Sequence, residues 1–313
     1  MFPHKSDKLT LLQVIKTMSK IGGAQRLATE IMGLPGVEVD TATYPELESY
    51  TENIYDIVLL HVWRDHPNLP IMNWPGKIKI SCKRIIVFSH SWSSRLDFQA
   101  DQYMVPSKFA YENSWADSLM HIIPLGIPTE QYSKFQLKLL NHSPVVGRLS
   151  TMLSSKISSD TIHFWREIPV QKFLIGGGGP QFQTLQIAFS DDPRFLFTGE
   201  IPPKQVPRFL RQIDIFLYDT VSHIESFCRV ILEAMAAGCV VVAKDKGAIK
   251  ELIEHEQTGF LYSSNKEALL ICEHLLKNPN LRESISLSAQ RVALLYSLDK
   301  FYTNILKVIN LIN

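Results

Sequence analysis

The chain has 313 residues, 45% hydrophobic and 20% charged, with 32 basic against 31 acidic side chains. That length holds two domains with ordinary cores. A net charge of +1 argues against a nucleic-acid binder, which carries a basic excess. No apolar run reaches the roughly 18–20 residues that span a bilayer. The opening MFPHKSDKLTLLQVIK lacks a signal-peptide cleavage region and is interrupted by Lys16 and Lys20, so a cytoplasmic location is expected. Cys82, Cys228, Cys239 and Cys272 show no CxxC spacing and read as free, mostly buried thiols.

Leu9–Ile15 (LTLLQVI) reads as a buried strand, after which Gly22 and Gly23 open a helix through Ile31. A glycine pair there fits a plain turn or the approach of backbone to a ligand. Further strands follow at Val37–Thr43, Ile54–Val62, Arg84–His90, Gln102–Pro106 and His121–Pro124. Strands alternating with helices predict a parallel, doubly wound sheet. Such sheets bind ligands beyond the carboxyl ends of their strands, where His61 and His90 lie. Either histidine can equally be satisfied by local backbone. Trp63, Trp74, Trp92 and Trp115 fall in this half and read chiefly as packing residues. Residues 1–140 carry 14 basic and 14 acidic side chains, and the nearest basic cluster (Lys77, Lys79, Lys83, Arg84) reads as a solvated strand edge. Weak peripheral membrane association stays open.

Residues 129–143 read as a linker, dividing the chain into domains 1–138 and 139–296. The second opens with the strand Pro144–Leu149, which carries Arg148, and a loop, 150–155, leading to Lys156. Phe173–Gly179 ends in four glycines, but Pro180 and Gln181 follow where a dinucleotide fingerprint needs a helix, so a structural turn is expected. Phe195–Gly199, a helix over Val206–Arg211 and the strand Ile215–Tyr218 deliver the chain to Glu225. A small-residue helix with its N-cap at Ser226 then carries Glu233. On one ideal helix two residues eight apart point about 80° away from each other, so Glu225 and Glu233 converge only if Glu225 lies in the loop before it. The strand Cys239–Ala243, a turn at Gly247 and a second, acidic helix from Ile249 follow. Helices over Lys266–Leu276, Leu281–Leu295 and Lys300–Ile312 complete the chain. A free helix N-terminus suits a diphosphate, and carboxylates suit sugar hydroxyls. Together they read as a nucleotide-sugar site.

The run Glu225-Ser226-Phe227-Cys228, Glu233, Ala237-Gly238-Cys239-Val240-Val241-Val242-Ala243 closely resembles the signature of the retaining family 4 glycosyltransferases, glycosyl transferases group 1. The family pattern is E-x-F-G, a second Glu eight residues on, then A-x-G-x-P-V-V-A. Cys228 stands where the family has Gly and Val240 where it has Pro. The resemblance covers the second domain specifically and the first loosely. It implies the GT-B fold: α/β, with two Rossmann-like, doubly wound parallel-sheet domains facing each other across a cleft, and a C-terminal helix (about 297–313) packing back on a first domain that is short for the family.

The resemblance also implies roles. Gly22 and Gly23 match a family Gly-Gly after the first strand, and His90 a family His near the donor sugar. Arg148 and Lys156 match two cations that stabilise the departing nucleoside diphosphate, although Ile157 replaces the Gly after the Lys. Ile201 falls where the nucleobase meets backbone. Glu225 would contact donor-sugar hydroxyls and Glu233 the ribose, with Ser226 and the amides of Phe227 and Cys228 at the donor. Gly247, Ala248 and Glu251 match a family G-G-x-x-E segment. The implied activity moves a hexose-type sugar from a UDP- or GDP-sugar to a carbohydrate or lipid-linked hydroxyl, with retention, in polysaccharide or glycoconjugate synthesis. No DxD-like carboxylate cluster falls in the expected site, so neither metal nor cofactor is expected. Two other readings stay open: a non-catalytic GT-B subunit serving a partner transferase, and an epimerase or phosphorylase.

Overall fold

The computed structural model of the chain describes residues 8–16, 18, 23–63, 80–96, 100–133 and 143–310. Gly22, Trp74, Lys77, Lys79 and most of the expected linker (134–142) lie outside the described residues. Two compact units emerge, Met1–Leu125 with Asp299–Asn313, and Gly126–Leu298. The division falls earlier than residue 138 for a local reason. Ile127 forms a bridge with Ser297, and its amide donates to the Tyr296 carbonyl at 2.8 Å, both within the second unit.

The first unit runs β1 (Leu9–Ile15), α1 (Gly23–Ile31), β2 (Val37–Thr43), β3 (Ile54–Val62), β4 (Ser81–Ser89), β5 (Arg95–Leu96), β6 (Gln102–Val105), α2 (Lys108–Glu112), β7 (Trp115–Ala116) and β8 (Met120–Ile122). Its main sheet has the order β2-β1-β3-β4-β6-β8, and its strands pair in parallel. Alternate residues serve two cores, because side chains of a strand point to opposite faces. Leu12, Val14, Val58, Leu60 and Val87 enter one core with Leu47. Leu11, Ile57, Leu59, Ile86 and Phe88 enter the other with Leu27 and Ile31 of α1. Both faces are covered, which is why β1 and β3 read as nearly unbroken apolar runs. Within those runs Gln13 and His61 are buried polar residues, and their parity places them on the α1 face.

The C-terminal helix Leu298–Asn310 belongs to this unit's α1-side core through Phe301, Ile305, Val308 and Ile309. The Tyr302 hydroxyl donates to the Glu30 carbonyl at 3.0 Å, and Arg84 donates to the Ile309 carbonyl at the helix's last turn. A cation there also meets the negative end of the helix dipole. Lys83 pairs with Asp56 at 2.7 Å.

The second unit runs α3 (Glu130–Ser133), β9 (Val146–Leu149), α4 (Ser159–Glu167), β10 (Phe173–Gly176), α5 (Phe182–Ala188), β11 (Phe195–Gly199), α6 (Val206–Leu210), β12 (Ile215–Tyr218), α7 (Arg229–Ala236), β13 (Val240–Lys244), β14 (Phe260–Tyr262), α8 (Asn265–Lys277) and α9 (Pro279–Ala293). Its parallel sheet has the order β11-β10-β9-β12-β13-β14. Two expectations are corrected here. The acidic helix from Ile249 is a single 3-10 turn, Gly247–Glu251. The helix carrying Glu233 starts at Arg229, so its N-cap is Cys228 and not Ser226.

Both sheets reverse direction once. In each, the chain leaves the first strand toward one edge and later returns to its other side, between β1 and β3 and again between β9 and β12. Beyond the carboxyl ends of such a strand pair the connecting loops diverge and leave a crevice.

The C-terminal helix is an integral part of the first unit, so Ile305→Ala should remove about 2–4 kcal/mol from that unit's core. Amide hydrogen exchange should then accelerate in β1, β3 and β4 and stay unchanged in β12 and β13. Equal acceleration in both sheets, or in neither, would contradict the assignment.

Candidate active site

At the β9/β12 crevice three side chains close around one carboxylate oxygen of Glu225. Glu225 Oε1 accepts from Lys156 Nζ at 2.7 Å and from the Tyr218 hydroxyl at 2.5 Å, and lies 3.2 Å from His223 Nε2. Lys156 Nζ also donates to the Tyr218 oxygen at 2.9 Å. The Lys156 and Glu225 side chains are only 11% and 14% exposed. Burial pushes the carboxyl upward, but the charge of Lys156, then the bond and charge of His223, outweigh it. Glu225 is held well below the usual carboxylate range. Burial, then Cys228 and Glu225, keep the Tyr218 phenol protonated as a donor. All three contacts meet Oε1, and Oε2 takes part in none of them.

Backbone fixes this carboxylate in place. Gly247 adopts φ +64°, and a Cβ there would stand 2.6 Å from the Glu225 carbonyl oxygen. Only glycine fits so close an approach in a left-handed turn. The next amide, Ala248, donates to that same oxygen at 3.0 Å. Lys156 is fixed from the other side. The amides of Val221, Ser222 and His223 all donate to the Ser155 carbonyl, at 2.9–3.1 Å. Met152 and Ile157 bury the loop's two ends in the core. The glycine run packs against the same loop, since a Cβ on Gly177 (φ +107°) would fall 2.0 Å from the Ser150 oxygen.

Arg148 is held by partners inside the second unit. It is fully buried, ion-paired to the Asp219 carboxylate, with its other guanidinium nitrogens bonded to the Asp219 carbonyl at 2.9 Å and Ser150 Oγ at 3.1 Å. Its guanidinium carbon stands 5.5 Å from the Trp165 ring centre and 5.1 Å from that of Tyr218. Of the two expected cations, Lys156 alone keeps exposed surface.

Cys228 shows why the family pattern asks for glycine. It adopts φ 67°, ψ 61°, a left-handed conformation that costs a side-chain-bearing residue roughly 1–2 kcal/mol. Burial, then the Glu225 charge, push its thiol up, which leaves it unreactive. Phe227 is buried with its ring 6.1 Å from that of Tyr296, and Ser226 is half-buried in the loop. Glu233, on α7, is 1% exposed. Ile201 follows the edge strand β11, two strands away from β9. Gly23 opens α1 with nothing within 4 Å of a would-be Cβ.

In the first unit, His90 follows β4 with its amide bonded to the Val62 carbonyl at 2.9 Å. Its Nε2 lies 2.9 Å from Nδ1 of His61, and the Trp63 ring stacks on it at 4.7 Å, 15° from parallel. Sequence reasoning missed Tyr218, Asp219 and His223. Tyr218 and Asp219 end an ordinary apolar strand, and only the return of β12 alongside β9 gives them their partners.

Residues 141–292 match the family model described as Glycosyl transferases group 1. That match covers just under half of the chain, all of it within the second unit. A GDP-mannose-dependent alpha-mannosyltransferase of Mycolicibacterium smegmatis is 23% identical over 180 residues, which is 55% of this chain and 46% of that relative. The N-acetyl-alpha-D-glucosaminyl L-malate synthase of Bacillus anthracis is 37% identical over 123 residues, 37% of this chain and 31% of the relative. These matches span less than half the length of either relative. HepE of Anabaena, solved with UDP and glucose, superposes over 96% of this chain and 99% of its own, with a TM-score of 0.77 and 17% identity. A sucrose-phosphate synthase of Thermosynechococcus elongatus gives 0.75 at 14% identity, covering 97% and 98%. At such identity the likeness is one of fold, and the fold class is GT-B, two Rossmann-like parallel-sheet units. Among the described residues no helix is long and apolar enough to cross a membrane.

Removing the cation should expose the cost of this arrangement. Lys156→Met should lose about 3 kcal/mol at pH 7, because Glu225 then stays buried without its partner. The depressed carboxyl of the folded wild type contributes stability above the unfolded value of about 4.3, and that contribution fades as pH falls toward the folded value. The gap between wild type and variant in urea unfolding should therefore narrow below pH of about 4. A gap independent of pH would contradict the ion pair's role.

Proposed function

We propose that this chain is a glycosyltransferase that moves a hexose-type sugar from a nucleoside-diphosphate sugar, UDP- or GDP-linked, to a hydroxyl of a carbohydrate or lipid-linked acceptor, with retention and without a metal. The observation that carries the reading is the Glu225 carboxylate. It is rigidly held, kept ionised, and bonded through Oε1 to Lys156 and Tyr218. A carboxylate this acidic is a poor proton donor and a weak base near neutral pH, so it suits accepting hydrogen bonds from sugar hydroxyls. Its second oxygen, Oε2, is the atom for that task.

Lys156 balances charge on both sides. Before reaction it neutralises Glu225. As the glycosidic bond breaks, negative charge gathers on the diphosphate, and a cation pre-held at the crevice stabilises it without reorganising. The amides opening α7, beside Cys228, add the positive end of the helix dipole. Arg148, paired with Asp219, supports the β9/β12 end on which Tyr218 and Glu225 stand. Glu233 takes the ribose. Retention follows from front-face displacement, in which the departing diphosphate receives the acceptor's proton. The family match and the mannosyltransferase relatives support this chemistry.

The test is a panel of UDP-, GDP- and ADP-sugars with and without chelator, scored by thermal shift and by donor hydrolysis. One nucleotide should stabilise the wild type, and hydrolysis should persist with chelator. Glu225→Gln should retain the nucleotide shift and lose roughly a hundredfold in turnover, whereas Glu233→Ala should weaken the shift itself. If no nucleotide shifts the wild type, the transferase reading fails and a non-catalytic subunit takes its place.

A further inference from the structure

The three donors that meet Glu225 Oε1 come from three segments of the second unit. Lys156 closes the loop after β9, Tyr218 ends β12, and His223 lies in the loop two residues before Glu225. Lys156 Nζ stands 2.7 Å from Oε1, the Tyr218 hydroxyl 2.5 Å and His223 Nε2 3.2 Å. Lys156 Nζ is also 2.9 Å from the Tyr218 oxygen. Tyr218 is 1% exposed, with the Arg148 guanidinium carbon 5.1 Å from its ring centre. The His223 amide is tied to the Ser155 carbonyl at 2.9 Å.

Proton bookkeeping sets the direction of each contact. An ammonium only donates, so the Tyr218 oxygen accepts from Lys156, and its single proton goes to Oε1. An ionised carboxylate only accepts, so His223 Nε2 carries a proton. A carboxylate oxygen offers about two lone-pair directions, and three donors fill Oε1. Oε2 has no partner among the described residues. The last side-chain torsion of a glutamate is broad and roughly two-fold, and a lysine neutralises the charge whichever oxygen it meets. Charge pairing by itself therefore leaves the two oxygens interchangeable. A phenol from the strand and an imidazole from the loop, both on the same oxygen, make them different.

We propose that Tyr218 and His223 are positioning residues, which hold Glu225 by Oε1 and so present Oε2 as a fixed acceptor for a sugar hydroxyl. The sugar rests on the nucleotide-sugar reading above; the grip on Oε1 rests on the contacts alone. Tyr218 is too deeply buried to touch a ligand and acts through Glu225. An acceptor already in place needs no reorientation when the hydroxyl arrives, and it favours the sugar pose in which that hydroxyl points at Oε2.

Long-range proton–nitrogen correlation spectra of the full chain, labelled at histidine nitrogens, should show a proton on His223 Nε2 near neutral pH. A bare Nε2 would overturn the proposal without recourse to any variant. Carbon-detected spectra of the glutamate carboxyls, with Glu225 assigned by its disappearance in Glu225→Gln, then follow its titration. Losing a donor to the ionised form raises a carboxyl pKa. Tyr218→Phe and His223→Leu should each move the Glu225 titration to higher pH, and His223→Gln, which keeps an N–H donor, should largely restore it. No movement in either would overturn the grip. In donor hydrolysis, with the nucleotide sugar that the panel identifies, Tyr218→Phe and His223→Leu should each lower kcat roughly tenfold, with donor KM little changed. Placed on Glu225→Gln, neither should cost anything further. An equal loss of kcat in both backgrounds would mean that the two residues serve only packing. If the titrations move as stated and the wild type turns over no nucleotide sugar, the sugar role of Oε2 falls with the transferase reading, while the grip on Oε1 is upheld.

Discussion

The second unit depends on one buried ion pair, Lys156 with Glu225, shared with a phenol. Two opposite charges taken largely out of water are costly unless their remaining hydrogen-bonding capacity is used. Here much of the surrounding backbone is spent on that condition. The 150–156 loop is pinned by glycine contacts on one side and by three amides on the other, and the Glu225 peptide is clamped by Gly247 and Ala248. Three residues of this unit with positive φ, Gly177, Cys228 and Gly247, border the pair or the loop that carries it. Strain of this kind persists where surrounding structure over-determines it.

The two units solve the same problem with different chemistry. Each is a parallel sheet that reverses once, and each carries buried polar side chains at the carboxyl ends of the strands where it reverses. In the second unit the polar groups are charged, and pairing satisfies them: Arg148 with Asp219, Lys156 with Glu225. In the first they are neutral, and a chain of hydrogen bonds from the Ala28 carbonyl to His90 satisfies them. A neutral network keeps its proton directions only if every member is satisfied, because one unpaired group in a dry site costs more than the bonds around it gain.

Periodicity and composition made the strands legible. Leu9–Ile15, Val37–Thr43, Ile54–Val62, Phe195–Gly199 and Ile215–Tyr218 have in the structure the bounds that the apolar runs suggest. Glu225 stood out because its motif is local: a carboxylate, a short loop, a small-residue helix. Helix starts were less legible. Ser226 looks like an N-cap by residue type, yet the chain turns two residues later, at a cysteine in a conformation that side chains avoid. The Ile249 segment has helical composition but closes after one turn, on the way back to β14.

The sequence by itself determined the class of fold, the strands and the acidic loop, because these follow from burial patterns and residue chemistry within short windows. It also pointed to Arg148 and Lys156 as cations at the end of one strand. Only the tertiary structure decided what those cations do. Arg148 turns inward because Asp219, 71 residues later, ends the neighbouring strand beside it, and Lys156 meets a phenol and a carboxylate that the sequence placed in separate elements. Gln13 looks in the sequence like a flaw in an apolar strand. It becomes the start of a hydrogen-bond chain once β1 and β3 pair and α1 lays a carbonyl over it. Those partnerships depend on strand order, and strand order is set by the packing of the whole sheet rather than by any local pattern.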